Sequence, residues 1–346
     1  MISPSPLRMA LMRLAEHQEL EGELARSALR QIIEEGATEA EIAGFLMGLR
    51  ARGERLEELV SFVEVMRQAA VPVPFSHPRL VDVCGTGGDG SGTRNISTAV
   101  AFVVAGAGVP VAKHGNRGIS SRSGSADVLE ALGIAIELGP EEAAETLRRC
   151  GMVFLFAPRY HPAMGRVSGV RRALGVRTCF NLMGPLLNPA PVRRQLMGAF
   201  SREAAEQMAQ VAARLGAEHV LAVHGEDGWD ELSLCAPSTV FEYRADFGLR
   251  TYRVSPEDLG LERVEPGALR GGDPEENAHA LEALLNGAPG PYRDAVLLNA
   301  AFALYVAGAA DTPAEGLSLA RKSLDEGRAR AVLQSLRRTI PGAKRL

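Results

Sequence analysis

Residues 80–98, LVDVCGTGGDGSGTRNIST, join a short β-branched run to a glycine-rich segment and the start of a helix. Asn95 is a good helix N-cap, and the apolar run from Val100 to Val104 follows it. Missing Cβ atoms let the backbone approach an anion, while free N–H groups and the helix dipole favour negative charge. The segment therefore predicts a strand, an anion-binding loop and a helix, in that order.

Working outward from this segment, similar apolar runs occur at residues 109–112, 152–156 and 219–223, with helical stretches between them. Strands that alternate with helices at this spacing are typical of a parallel sheet. We therefore expect an α/β fold with a mainly parallel sheet and helices on both of its faces. The last 55 or so residues return to amphipathic helices, such as Leu317 to Leu336.

The first 70 or so residues contain helical patterns only. Thr38 and Glu41 have the spacing of a capping box, and apolar residues then recur at helical intervals, as Ile42, Phe45, Leu46 and Leu49 and again as Leu56, Leu59, Val60 and Val63. The proline-rich segment 71–74 ends this region. We expect a small helical bundle domain over residues 1–74, joined by about 160–190, and a larger α/β domain over residues 75–346, with the active site in the hinge cleft.

Composition excludes several classes of protein. The net charge of −4 over 346 residues lacks the basic excess of a nucleic-acid-binding protein. No apolar stretch approaches the length of a membrane span, and because charged residues precede any long apolar run we expect no signal peptide. The four cysteines are widely spaced, with no CxxC pair, which is typical of reduced thiols. We expect a cytoplasmic protein without nucleic-acid or membrane partners.

The glycine-rich segment also matches G-x-G-x-x-G at Gly85, Gly87 and Gly90. A dinucleotide fold would need an acidic residue about 20 positions later, at the end of the next strand. That strand ends instead at Lys113 and His114, and no Gly-Lys-Ser/Thr follows the glycines, so the segment is not a Walker A loop either. A purely structural glycine turn remains the alternative.

Two further loops are expected at the same edge of the sheet. KHGNR (113–117) and SSRSGSAD (120–127) supply cations and hydroxyls suited to phosphate oxygens, the alternative being a solvated surface turn. HGEDGWDE (224–231) is acidic, and Mg²⁺ commonly takes one or two carboxylates together with water and substrate phosphates. Asp230 and Glu231 are the candidate ligands, although an acidic loop is usually only solvated. Arg171 offers a fork matched to a carboxylate, but adjacent arginines on a helix are most often exposed.

Taken together, these motifs resemble the anthranilate phosphoribosyltransferases of tryptophan biosynthesis. The matching blocks, in order, are GTGGD (85–89), NIST (95–98), KHGNR (113–117), SRSGSADVLEALG (121–133), FNLMGPLLNP (180–189) and DE (230–231). The resemblance covers about nine-tenths of the chain; one mild departure is Leu187, where the family often has threonine. It implies a homodimer, a fold similar to that of pyrimidine nucleoside phosphorylases, and Mg²⁺-dependent transfer of the phosphoribosyl group of phosphoribosyl pyrophosphate (PRPP) to anthranilate.

The resemblance also implies the site residues. Those implied to contact PRPP are Gly85, Gly88, Asp89, Thr93, Asn95, Ile96, Ser97, Thr98, Lys113, His114, Gly115, Asn116, Arg117, Gly118, Ile119, Ser120, Ser121 and Ser125. Those implied to contact anthranilate are Gly85, Asn116 and Arg171, and those implied to hold Mg²⁺ are Ser97, Asp230 and Glu231. His114 is the candidate catalytic residue for moving a proton; the alternative is that it packs or hydrogen-bonds near anthranilate.

Three rival interpretations remain. A pyrimidine nucleoside phosphorylase is expected to be longer, with an additional C-terminal domain, and Asp230 and Glu231 favour a metal-bound pyrophosphate instead. A paralogue that binds nucleic acid is expected to be basic and to have lost its ligand loops. A substituted anthranilate as the acceptor is harder to separate from anthranilate itself.

Overall fold

The computed structural model describes residues 4–34, 36–118 and 122–339. Its N-terminal region is helical, with α1 at Pro6–Ala15, α2 at Gly22–Glu34, α3 at Glu39–Arg52 and α4 at Leu56–Gln68. The predicted capping box is confirmed, because the hydroxyl of Thr38 and the carboxylate of Glu41 each accept the other residue's backbone N–H. The predicted apolar stripes of α3 and α4 are buried, apart from the partly exposed Leu56.

A seven-stranded sheet forms the centre of the rest of the chain. Its strands are β1 at Val81–Gly85, β2 at Val111–Gly115, β3 at Met152–Phe156, β4 at Arg194–Gly198, β5 at His219–Gly225, β6 at Ser238–Arg244 and β7 at Gly248–Val254. They lie in the order β3-β2-β1-β4-β5-β6-β7; the first five are parallel, and β6 and β7 are antiparallel to their neighbours. The expected α/β fold with a mainly parallel sheet is confirmed.

Helices cover both faces of this sheet. The other α-helices of the described residues are α5 at Ile96–Gly106, α6 at Ser125–Ala131, α7 at Pro140–Cys150, α8 at Ala157–Tyr160, α9 at Gly165–Leu174, α10 at Cys179–Met183, α11 at Arg202–Arg214, α12 at Pro274–Leu285, α13 at Pro291–Val306, α14 at Pro313–Asp325 and α15 at Arg328–Arg337. Alternate residues of β5 face opposite cores: Leu221 lies in the core that includes α5 and α13, and Val220 in the core that includes α4 and α11.

Two expectations need refinement. The helical stretch from Leu317 to Leu336 is divided into α14 and α15 at Gly327, whose φ of +69° interrupts the helix. The segment 160–190 contributes α9, which packs on α2 and α3, and α10, which packs on α3 and α4. The domain boundaries at 74 and 75 remain a prediction. Among the described residues, no helix has the length and apolar character that crossing a membrane requires.

The chain order reverses at β1. From β1 the chain proceeds to β2 and then β3 on one side, and returns to β4 on the other side. In parallel α/β sheets, ligands bind in the crevice that opens at such a reversal, beyond the carboxyl ends of the strands. The loops that follow β1, β2 and β5 all emerge at this edge, so the glycine-rich, basic and acidic segments lie together.

Candidate functional site

The acidic pair lies directly against the glycine-rich loop. The backbone N–H of Gly87 donates to Oδ2 of Asp230 over 2.7 Å, and the N–H of Asp230 donates to Oδ2 of Asp89 over 3.4 Å. A Cβ atom at Gly85 would lie only 2.4 Å from Oδ2 of Asp230. Gly85 is therefore required for the Asp230 carboxylate to reach the end of β1.

Glu231, and not Asn95, binds a free amide at the start of α5. The Ser97 N–H donates to Oε1 of Glu231 over 3.1 Å. Asn95 occupies the N-cap position but its side chain makes no cap bond; it contacts the carbonyl of Ser123 and the side chain of Asn277 instead. Asn95 is thus the N-cap residue of α5, as predicted, but these distant partners hold its amide, so it makes no side-chain cap bond. A carboxylate thus already occupies part of the predicted anion site.

Lys113 supplies a buried positive charge beneath the same loop. Its Nζ donates to the carbonyl of Val83 over 2.7 Å and lies 3.2 Å from Oγ of Ser97. Burial lowers the pKa of Lys113, while the fully buried carboxyl of Asp82 opposes that shift. The side chain therefore links β1, β2 and the first turn of α5.

The carboxyl groups of Asp230 and Glu231 are destabilised as anions. Burial raises the pKa of each, and the repulsion of Asp89 on Asp230 and of Asp230 on Glu231 raises it further. The described residues contain no group of three or more His, Cys, Asp or Glu side chains arranged to hold a metal ion. Mg²⁺ needs only one or two protein carboxylates when phosphates and water complete its shell. Two partly exposed carboxylates that repel each other, one of them bound to the amide of Ser97, fit that requirement, because they are hard oxygen donors in need of a counter-charge.

Asp127 organises the loop that follows β2. Its Oδ2 accepts the N–H groups of Gly118 and Gly124, each over 2.9 Å. The hydroxyl of Ser125 donates to the carbonyl of Asn116 over 3.2 Å. Asp127 was not predicted as a site residue, although an acidic residue three positions after a helix N-cap is a recognisable signal. Ile119, Ser120 and Ser121 lie outside the described residues.

The Arg117 side chain is committed elsewhere. Its guanidinium forms ion pairs with Asp127, at 3.1 Å, and with Glu130, and it lies over the ring of Phe156. Gly115 ends β2, where a Cβ atom would lie 2.3 Å from the Ser125 hydroxyl.

The other residues predicted to contact PRPP lie in or next to the glycine-rich loop. Gly88 has a left-handed φ of +69°, and the Thr93 hydroxyl lies 3.2 Å from that of Ser91. Ile96 and Thr98 are buried in the first turn of α5, so Ile96 can offer a ligand only its backbone. Tyr292, which was not predicted as a site residue, also lies here: its hydroxyl donates to the carbonyl of Asn95 over 3.3 Å. Its position 197 residues away gives no local signal.

His114 is a neutral, buried imidazole. Burial, with the nearby His161 and Lys113, lowers its pKa to about 3. Its ring lies edge-on to that of His161, with centroids 5.5 Å apart, and Nε2–H of His161 donates to the carbonyl of Leu187 over 2.7 Å. Because this contact uses a backbone carbonyl, the family departure at Leu187 does not alter it.

Arg171 lies on the helical side of the cleft, in the last turn of α9. Its guanidinium is 5.4 Å from the ring centroid of Phe180, and burial lowers its pKa. Gly85 and Asn116, its predicted partners around anthranilate, belong to the sheet side. A partly desolvated guanidinium is suited to a carboxylate ligand.

A cavity of about 460 Å³ lies at the other end of the parallel strands, near the start of β4 and β5. Arg194 and Arg244 are among the residues that line it. These guanidiniums are paired with acidic side chains, Arg194 with Glu218 at 3.2 Å and Arg244 with Asp246 at 2.8 Å. The cavity is remote from the converging loops, so the loops define the candidate site.

Comparison with known proteins agrees with this geometry. Residues 8–70 match the helical bundle domain of a glycosyl transferase family, and residues 77–330 match its a/b domain. The anthranilate phosphoribosyltransferase of Symbiobacterium thermophilum is 50% identical over 331 residues, which cover 96% of this chain and 97% of that protein. That of Thermomicrobium roseum is 52% identical, over 94% of this chain and 95% of its own. The chain belongs to the anthranilate phosphoribosyltransferase family.

Solved structures of the anthranilate phosphoribosyltransferase family share the fold. The crystal structure from Thermus thermophilus superimposes with a TM-score of 0.90 at 44% identity, covering 95% of this chain and 98% of that one. The Saccharomyces cerevisiae enzyme in complex with PRPP and Mg has a TM-score of 0.88 at 28% identity, covering 96% and 97%. Another structure of the yeast enzyme contains 4-fluoroanthranilate.

Proposed function

We propose that this protein transfers the phosphoribosyl group of PRPP to the amine of anthranilate, forming N-(5-phosphoribosyl)anthranilate and pyrophosphate, the second step from chorismate to tryptophan. The observation that carries the proposal is the contact of Asp230 with the amide of Gly87 and of Glu231 with the amide of Ser97. It unites a metal-binding pair and an anion-binding loop at the sheet reversal. Membership of the anthranilate phosphoribosyltransferase family gives this arrangement its substrates.

PRPP, the phosphoribosyl donor, binds at the carboxyl ends of β1 and β2. Backbone amides between Gly85 and Thr98 face its phosphates, and the loop after β2 completes the site, including residues 119–121. Asp230 and Glu231 accept the backbone N–H groups of Gly87 and Ser97, so the carboxylates proposed to hold the metal lie at the margin of this phosphate site.

Ser97, Asp230 and Glu231 would hold Mg²⁺. When bound, the ion offsets the charge of the pyrophosphate as it leaves. The chain's own amides and the buried ammonium of Lys113 add fixed positive potential at the same place.

The acceptor binds between Arg171 and the sheet. The guanidinium of Arg171 pairs with the anthranilate carboxylate, and Asn116 and Gly85 place the amine in line with the anomeric carbon. The C–N bond forms as the C–O bond to pyrophosphate breaks, and the amine then loses its proton to solvent. His114, with a pKa lowered to about 3, is a weak base, so we assign it to hydrogen bonding and not to proton transfer.

The same proposal includes a cytoplasmic homodimer built from a helical domain, residues 1–74 with about 160–190, and an α/β domain, residues 75–346. Three methionines support an interface on the helical domain: Met9 and Met12 of α1 are 38% and 59% exposed, and Met47 of α3 is 38% exposed. The two helices pack against each other, so these apolar side chains lie on neighbouring elements.

The decay of anthranilate fluorescence tests this function. Purified protein is mixed with anthranilate, PRPP and Mg²⁺, and each component is omitted in turn, with EDTA replacing the metal. We expect decay only when all are present. No decay with folded protein and intact donor would overturn the proposal; uridine or thymidine cleavage by phosphate would then identify a phosphorylase.

A further inference from the structure

Arg177 joins the helical side of the cleft to the glycine-rich loop. It lies between α9 and α10, in a connection that begins at Gly175. Although the residue is exposed, its guanidinium donates to the carbonyl oxygen of Gly88 and lies 4.2 Å from the ring centroid of Phe200. An exposed arginine held by two partners from different parts of the chain is a specific contact.

Phe200 gives this contact a fixed support. The N–H of Phe200 donates to Oγ1 of Thr86 over 3.1 Å, and the N–H of Thr86 donates to the carbonyl of Gly198 over 3.0 Å. The start of the glycine-rich loop is thereby fastened to the end of β4. Arg177 stacks on this fastened residue and holds the loop at a second point, two residues further along.

The second point is where the loop needs support. Gly87 and Gly88 both have left-handed φ values, of +65° and +69°, and glycine has the widest choice of backbone conformations. The carbonyl and the following N–H of a trans peptide point in opposite directions. Holding the Gly88 carbonyl toward Arg177 therefore turns the N–H of Asp89 away from Arg177.

The side chain of Asp89, which directly follows this peptide, is held by backbone N–H groups. Oδ2 of Asp89 accepts the N–H of Asp230 over 3.4 Å, and its Oδ1 accepts the N–H of Ser91 over 3.1 Å. Arg177 thus holds the carbonyl of the Gly88–Asp89 peptide, while the N–H groups of Asp230 and Ser91 hold the side chain of the residue that follows it. Arg177 is also only six residues from Arg171 in sequence, so one short segment reaches both substrate positions.

We propose that Arg177 is a positioning residue for the donor: it orients the Gly88–Asp89 peptide so that the loop amides are ready to bind the diphosphate of PRPP. This inference rests on the proposed function. It assigns Arg177 a role in the ligand-free protein, before any phosphate is present.

Binding of pyrophosphate in excess Mg²⁺ tests the inference without turnover. Trp229 is the only tryptophan and directly precedes Asp230, so its fluorescence should report the titration. Removing a charge-assisted hydrogen bond typically weakens an interaction about 10- to 150-fold, and exposure of Arg177 favours the lower end. We expect Arg177→Ala to raise the pyrophosphate Kd and the PRPP KM about 10-fold, with kcat and the anthranilate KM changed less than about 3-fold.

Two further variants serve as controls. Arg177→Lys keeps the charge but stacks less well on an aromatic ring, so we expect it to recover part of the lost affinity. Arg172→Ala removes a neighbouring exposed arginine of α9 and should leave the Kd unchanged. An equal loss in Arg172→Ala would show a general effect of charge and overturn the inference.

Hydrogen exchange of the ligand-free protein separates positioning from direct contact with the ligand. We expect amides of residues 85–93 to exchange faster in Arg177→Ala than in the wild type on the millisecond scale, with Tm unchanged. Unchanged exchange, or an unchanged pyrophosphate Kd, would overturn the inference. If Arg177→Ala is unstable, Phe200→Leu, which removes the stacking partner, replaces it in both measurements. Wild-type protein that neither binds Mg²⁺-pyrophosphate nor consumes anthranilate would instead refute the proposed function.

Discussion

Replacing Gly85 with alanine should displace the carboxylate of Asp230. The new Cβ would lie 2.4 Å from Oδ2, whereas ordinary contacts begin at 3.4 Å, a shortfall of 1.0 Å. The φ of Gly85 is not among the left-handed values, so alanine adds a clash without backbone strain. A shift of about 1 Å would lengthen the 2.7 Å bond from the Gly87 amide beyond hydrogen-bonding distance.

A misplacement of about 1 Å at a catalytic site can cost about 100-fold in rate. We therefore expect Gly85→Ala to lower kcat/KM for PRPP about 100-fold, roughly 2.7 kcal/mol, and to raise the half-saturating Mg²⁺ concentration. Overpacking typically costs about 1–3 kcal/mol of stability, so Tm should fall by only a few degrees. The assay is initial-rate anthranilate fluorescence over a series of PRPP and Mg²⁺ concentrations, alongside thermal unfolding.

Gly267→Ala is the matched control, because an added Cβ at Gly267 meets nothing within 4 Å. It should leave kcat/KM within about 2-fold of the wild type. A Gly85→Ala variant that keeps wild-type kcat/KM and Mg²⁺ dependence would refute the assigned role of Asp230. A Gly85→Ala variant that loses activity only because it unfolds would show an unfolding transition at the assay temperature.

Three other perturbations test separate parts of the site. Arg171→Ala should raise the anthranilate KM roughly 10- to 150-fold while leaving the PRPP KM nearly unchanged; equal rises in both would argue against pairing with the anthranilate carboxylate. Burial raises the folded-state pKa of Asp230 and Glu231 above their ordinary values of 3.8 and 4.5. The folded protein therefore holds these protons more tightly than the unfolded chain, and its free energy of unfolding decreases as pH rises through the raised pKa values. Tm is measured in EDTA as a function of pH for the wild type and for Asp230→Asn. Between about pH 5 and 8 the wild-type Tm should fall more steeply than that of the variant. Parallel Tm–pH curves for the two proteins would contradict this. His114→Asn should leave the shape of the kcat/KM pH profile unchanged, because the pKa of His114 is about 3; an inflection near neutrality that disappears in the variant would show proton transfer.

Sequence reasoning succeeded where the signal was local. The run 80–98 contains its strand, loop and helix in one continuous pattern, and the observed β1 and α5 fall within a few residues of it. Asp230 and Glu231 were predicted near the phosphate loop because they follow a recognisable strand, β5. The carboxyl ends of the parallel strands β1, β2 and β5 lie at the same edge of the sheet. β4 was missed because RQLMG contains no β-branched residue, and the hairpin of β6 and β7 was not identified.

Contacts between distant parts of the chain could not be predicted from the same patterns. The bond from Ser97 to Glu231 spans 134 residues, and that from Arg177 to Gly88 spans 89. Asparagine is a favoured residue type at a helix N-cap, yet the Asn95 side chain hydrogen-bonds to residues distant in sequence and not to the helix. The local sequence indicates which hydrogen bonds a side chain is able to form, but the tertiary packing determines which of them form.

The central claim is that this site couples anthranilate to the ribose of PRPP with release of pyrophosphate. Its most direct test is to measure both products of one reaction, phosphoribosylanthranilate by mass and pyrophosphate by an enzyme-coupled assay. We expect one pyrophosphate for each anthranilate consumed, and neither product in EDTA. Pyrophosphate released without anthranilate consumption, or consumption without pyrophosphate, would contradict the account.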